Sequence, residues 1–301
     1  MSEIRRDNRF LAAAFLALAA LPAGFTRAAD SPPRIVSLSP HITELLFAAG
    51  AGARVVGVDD SSDFPPEAAG IPRLGEAASL DVEGLVRLRP SLIIAWETGT
   101  PPRLLAELHR LKLPVLVTEQ RRLDDIGEAL LEFGRLAGTQ AAAADAAASY
   151  REALAQLRSR YAGRRTLRVF YQVWDRPLYT LSGAHVVSEA ISLCGGENVF
   201  AGLAAPAPAI DREAVLERDP DVILIGALGR EGERQTADWN RFPSLRAVRG
   251  HHIFTIDPSL ASRMAPRILE GVAAICGALE EARDVPGVSI KRQSRNDNAR
   301  H

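Results

Sequence analysis

The stretch LDVEGLVRLRP, from Leu80 to Pro90, returns in the second half of the chain as IDREAVLERDP, from Ile210 to Pro220. In each copy an Asp (Asp81, Asp211) stands just before an apolar-periodic run, where an N-cap accepts from otherwise unpaired backbone N–H groups. Glu83 and Glu213 then fall in the first helical turn, where a carboxylate meets the positive end of the helix dipole. Pro90 and Pro220 stop each short helix. The runs that follow, SLIIAW at Ser91–Trp96 and DVILIG at Asp221–Gly226, read as buried strands. Helix, stop and strand, written twice in register, predict a chain built of two related halves.

Working outward, RIVSLSP (Arg34–Pro40) and LRVFYQVW (Leu167–Trp174) open the two halves with β-rich runs. Helical stretches follow at HITELLFAAGAG (His41–Gly52) and HVVSEAISLCGG (His185–Gly196). Each half closes on strand then helix: LPVLVTE before DDIGEALLEFGRLAG, and HHIFTID before PRILEGVAAICGALE. Strands alternating with helices at this spacing predict an α/β fold of two similar lobes with mostly parallel sheets, residues 34–138 and 166–284. Between them TQAAAADAAASYREALAQLRSRYAG, residues 139–163, has no Pro and no Gly before its end. It predicts one long rigid helix, about 35 Å at 1.5 Å per residue, holding a ligand cleft between the lobes. Residues 285–301 are polar and aperiodic and read as a disordered basic tail.

Arg5, Arg6 and Arg9 precede the apolar run FLAAAFLALAALPAGF and the small-residue stretch TRAAD. Basic head, apolar middle and Ala-rich exit predict a cleaved signal peptide over residues 1–28, hence export to the periplasm. The run is short for a retained membrane span, and no Cys at the exit suggests a lipid anchor. Cleavage would remove four Arg and two acidic residues, taking the formal charge from −1 to about −3. No block of like charges suits nucleic acid. Export permits Cys194 and Cys276, the only cysteines, to pair; two buried free thiols are the alternative. A bridge would close a loop worth roughly 4–5 kcal/mol in the chain-entropy estimate.

An enzyme would need a catalytic constellation, and the sequence holds no GxSxG elbow, HExxH pair or Walker loop. The GAGA at Gly50–Ala53 follows a helix and precedes a strand, the reverse of a dinucleotide fingerprint. Ser39-Pro40 reads as N-cap and N1 of a helix. His251 and His252, as strand neighbours, would point to opposite faces and chelate poorly. No metal site, resident cofactor or catalytic residue is expected. The chain reads as a binding protein, with a periplasmic sensor or scaffold as a further possibility.

RIVSLSPHITELLFAAGAGARVVGVDDSSDFPPEA, LIIAWETG, VFYQVWDRPLYT, LCGGENVF, DREAVLERDPDVI and APRILEG together resemble the substrate-binding proteins of bacterial ABC importers. The likeness is to the helical-backbone group that carries cobalamin, haem and iron–siderophore complexes, and it spans about residues 34–283. It implies cobalamin or a related corrinoid as cargo, with haem or a ferric siderophore as the alternative. Such cargo needs apolar and aromatic surface with a few orienting polar groups. In open α/β sheets these lie beyond the carboxyl ends of the strands. The candidates are Asp60, Ser61 and Phe64, then Trp96 and Glu97, and in the second lobe Tyr171, Trp174 and Asp175. A surface ion pair is one use for Arg263, but it stands where the resembled group places a cleft arginine, which favours the ligand reading. Phe64 serves equally well to pin its own loop, and Tyr171, inside an apolar strand, fits the core on one face.

The cobalamin binder resembled here carries aromatics where this chain has Ser61, Ala77, Ala207 and Leu260. Trp174 is placed to compensate. Haem would want an axial His or Tyr, for which His41, Tyr171, Tyr179 and His185 are available. The resemblance also gives the repeated phrase a use: Glu83 and Glu213 match the acids with which such proteins dock on a two-fold permease and its ATPase subunits. Helix-dipole chemistry alone accounts for an acid in each first turn, but not, shared ancestry aside, for the identical register. The free protein is expected to be a monomer.

Overall fold

The computed structural model describes residues 32–284; the expected signal peptide and basic tail lie outside the described residues. The first lobe runs β1 (Ile35–Ser37), α1 (Pro40–Ala48), β2 (Val55–Val58), α2 (Val82–Arg87), β3 (Leu92–Trp96), α3 (Pro102–Arg110), β4 (Val115–Thr118) and α4 (Asp125–Ala137). Its strands are all parallel, in the order β2-β1-β3-β4. The 22-residue helix α5 (Gln140–Tyr161) follows.

The second lobe contains β5 (Leu167–Asp175), β6 (Leu178–Thr180), α6 (Val186–Leu193), β7 (Gly196–Asn198), α7 (Arg212–Arg218) and β8 (Val222–Ile225). It continues with α8 (Gly229–Trp239), α9 (Arg246–Arg249), β9 (Ile253–Thr255), α10 (Pro258–Ala261) and α11 (Ile268–Asp284). β5 pairs in parallel with β8 on one side and with β7 on the other, and β9 extends the sheet beyond β8. The one antiparallel partner, β6, folds back on the end of β5 as a hairpin that the strand–helix alternation did not signal.

The repeated phrase folds the same way in both lobes. Asp81 Oδ1 accepts from Gly84 N at 2.8 Å and Asp211 Oδ1 from Ala214 N at 2.7 Å, so each carboxylate caps its helix. The strands that follow, β3 and β8, lie beside β1 and β5, the opening strands of their sheets. Two local expectations need correction. Ser39 is extended and Pro40 opens α1, but its hydroxyl oxygen caps nothing and is paired with His41 Nδ1 instead. His251 and His252 precede β9, and His251 turns through a positive φ, so strand alternation does not govern them.

The lobes share one core. It runs from Ile35, Val55 and Ile94 through Phe133, Ala143 and Tyr150 to Val169, Leu224 and Ile275. α5 presents Ala143, Ala147, Tyr150 and Leu154 as a buried stripe at helical spacing. Small residues let α4 and α5 approach closely: a Cβ on Gly134 would fall 2.1 Å from that of Ala143. Cys194 and Cys276 form a disulfide that joins the end of α6 to α11. Because both sheets hang on this helical layer, Gly134→Val is expected to lower global stability by about 1–3 kcal/mol, read by denaturant unfolding.

Candidate functional site

Each sheet has one place where successive crossovers diverge to opposite sides. In the first it lies between β1 and β3, in the second between β5 and β8. At such a switch point the loops after the two strands part and leave a crevice at their carboxyl ends. The two carboxyl edges face one another across the seam. Arg263, just after α10, reaches Asp63, which follows β2, and Leu123 N, beyond β4, donates to Glu189 Oε2 in the first turn of α6 at 3.0 Å.

On the first wall, His41 and Trp96 occupy the switch point. The rings meet edge to face, centroids 5.1 Å apart at 80°. Trp96 is held by its backbone N–H, which donates to Thr100 Oγ1 at 3.1 Å. Its indole lies over Gly99, where any Cβ would sit 1.9 Å from a ring carbon, so the ETGT turn is shaped to this side chain. His41 is only 6% exposed and its Nδ1 lies 2.6 Å from Ser39 Oγ. Burial, with a smaller contribution from the positive charge of Arg263, lowers its pKa to about 4.

In the second lobe apolar side chains are exposed at and after the strand ends. Trp174 is 59% exposed and Leu228, two residues from Gly226, is 52% exposed. The β5–β6 hairpin holds Trp174, whose Nε1 donates to Arg176 O at 3.2 Å. Leu228 was not anticipated, because a lone Leu between strand and helix carries no sequence signal.

The seam is closed by charge. Glu44 of α1, 3% exposed, accepts from Arg263 at 3.1 Å and lies 3.6 Å from Arg267. Arg263 also donates to Asp63 at 2.5 Å. Burial, with a smaller contribution from the charge of Asp63, raises the Glu44 pKa against the opposing pull of both arginines, while the hydrogen bond from Arg263 lowers that of exposed Asp63. The Arg267 guanidinium covers the Phe64 ring at 3.8 Å, so Phe64 packs across the seam. Phe64, Phe47, Pro65 and Pro266 border a hollow of about 380 Å³ beside this cluster; neither tryptophan lines it.

The remaining candidates separate. Tyr171 is 3% exposed and belongs to the core, with its carbonyl accepting from Thr180; strand alternation turns its ring inward, so it offers almost no surface for contact. Asp175 is engaged by Arg234 at 2.7 Å and Arg176 at 3.2 Å, so its carboxylate is already neutralised. Asp60 accepts from Gly75 N, Ser61 donates to Glu76, and exposed Glu97 pairs with Arg121, leaving these three at the rim of the first lobe. Ala77 and Leu260 are half-buried and Ala207 is exposed. His185 Nδ1 caps α6 by accepting from Val187 N.

A family model described as periplasmic binding protein matches residues 35–260. The chain belongs to the periplasmic binding protein family. A vitamin B12-binding protein of Vibrio cholerae serotype O1 is 34% identical over 249 residues, 83% of this chain and 90% of that protein. The crystal structure of the periplasmic vitamin B12 binding protein of Vibrio cholerae gives a TM-score of 0.78 at 33% identity, over 84% of this chain and 98% of that one. The periplasmic heme-binding protein RhuT from Roseiflexus sp. RS-1, in apo form, gives 0.72 at 27% identity, over 83% and 99%.

In this periplasmic binding protein the seam charges and the buried imidazole have separable signatures. Arg263→Met leaves Glu44 with Arg267 alone and is expected to cost about 2 kcal/mol in denaturant unfolding. His41 binds its proton near pH 4 when folded but near 6.5 when unfolded. The unfolded chain therefore gains the proton first, and stability falls as pH drops from about 6.5 to about 4, by up to roughly 3 kcal/mol. That loss is expected to be absent in His41→Gln when the two unfolding curves are compared across the window.

Proposed function

We propose that this chain is exported to the periplasm by a cleaved leader. There it holds cobalamin or a related corrinoid between its lobes as transported cargo, not as a cofactor. The observation that supports the reading is that Trp96 and the exposed Trp174 stand at the carboxyl ends of β3 and β5, in opposite lobes, with exposed Leu228 following β8. A broad, largely apolar macrocycle matches two such walls. The vitamin B12-binding relatives support the same cargo. Arg263 orients rather than grips, because its charge is already shared between Glu44 and Asp63. Haem or a ferric siderophore is the second reading, favoured by the presence of His41 at the crevice. For haem, Tyr171 and His185 are poor axial candidates, one in the core and the other capping a helix.

Delivery to a two-fold ABC permease with its ATPase subunits is assigned to Glu83 and Glu213. Both are exposed, in the first turns of matching helices, and carried at a spacing fixed by the common core. A two-fold partner needs two such equivalent contacts. The free protein is assigned as a monomer and as a carrier without catalysis.

Calorimetric titration with cyanocobalamin, haemin and a ferric siderophore panel tests the cargo. Binding to the corrinoid is expected, weakened about tenfold or more in Trp96→Ala and in Trp174→Ala; tight binding to haemin alone contradicts it. For docking, Glu83→Arg combined with Glu213→Arg is expected to abolish cobalamin uptake in cells while affinity in solution is retained. Unchanged uptake would remove the docking role.

A further inference from the structure

We infer that His41 coordinates the metal centre of the bound corrinoid through its Nε2 atom, replacing an exchangeable axial ligand. The inference rests on the cargo assignment above and adds a bond to it. Its ground is geometric. His41 sits at the switch point of the first sheet, where α1 begins, and its Nδ1 is tied to Ser39 Oγ at 2.6 Å. Nε2 has no hydrogen-bond partner among the described residues. A ring anchored through one nitrogen, with the other left for a ligand, is how proteins fix the tautomer and aim of a metal-binding histidine. With Nδ1–H donating to Ser39 Oγ, the lone pair stands on Nε2.

The neighbouring indole fits the same task. An axial imidazole stands perpendicular to the macrocycle it binds. The 80° angle between His41 and Trp96 therefore allows the indole to lie parallel to a macrocycle held by His41, in position to stack on it. His41 does not belong to a resident metal site, because among the described residues no three His, Cys, Asp or Glu side chains converge on one point. One imidazole alone completes a coordination sphere that the cargo brings.

The step is a ligand exchange. The bond from cobalt to water breaks as the bond from cobalt to Nε2 forms, and the water leaves to solvent. Nδ1 keeps its proton, and cobalt keeps its oxidation state. Corrinoids with water in the axial position meet this requirement, whereas cyanide on cobalt exchanges too slowly.

The test is the visible absorption spectrum of the purified protein titrated with aquacobalamin and, separately, with cyanocobalamin. Wild-type protein is expected to move the aquacobalamin bands to the positions produced by free imidazole, and to bind cyanocobalamin with its bands unmoved. His41→Ala is expected to bind both without a band shift, its affinity for aquacobalamin lowered about tenfold or more. Aquacobalamin bound by the wild type with unmoved bands overturns the inference, as does a shift that persists in His41→Ala. Absence of binding to either corrinoid instead removes the cargo assignment, and the coordination with it. The wild-type spectrum decides the matter even if the variant does not fold.

Discussion

The close packing of α4 on α5, with Gly134 against Ala143, is the constraint on which the two walls of the crevice depend. A larger residue at that contact would push apart the helices that carry both sheets. Because α5 and α11 belong to the same buried cluster as β1, β5 and β8, the lobes are parts of one packed body and not beads on a tether. Packed interiors yield in discrete rearrangements, not by smooth deformation.

Charge sharpens this arrangement without supplying most of its stability. Glu44 loses its hydration at the seam, and burial is the largest influence on its proton affinity, which is raised despite both arginines. An ion pair of this kind contributes little net energy, yet removing one partner strands the other. Its effect is positional: Arg263 and Arg267 from one lobe must meet Glu44 and Asp63 from the other, which fixes how the carboxyl edges face. The second junction, where Glu189 receives Leu123 N and approaches Arg122 and Arg158, repeats the device beyond β4.

The parts of this structure legible in the sequence are those governed by local chemistry. Asp before an apolar run caps a helix whatever lies far away, so Asp81 and Asp211 could be placed, and the Ala-rich composition of α5 needs no tertiary context. Trp96 and Trp174 were legible as strand-end aromatics. The misplacements came from long-range pairing. Tyr171 and Asp175 lie on the same strand as Trp174, but pleat direction sends the first into the core and Arg234, on α8, captures the second. Arg263 and Glu44 are separated by 219 residues, and nothing in either neighbourhood announces the other. His41 resembles any polar residue opening a helix until its burial against Trp96 is seen.

The proposed cargo site lies between two lobes that share one buried core. A crystal structure of the complex with cyanocobalamin tests this most directly. The corrin ring is expected between His41 and Trp96 of one lobe and Trp174 and Leu228 of the other, with the lobes superimposing on the free form within about 1 Å. A corrinoid seated instead in the hollow beside Phe64 and Arg267, or lobes rotated together by a hinge, would contradict it.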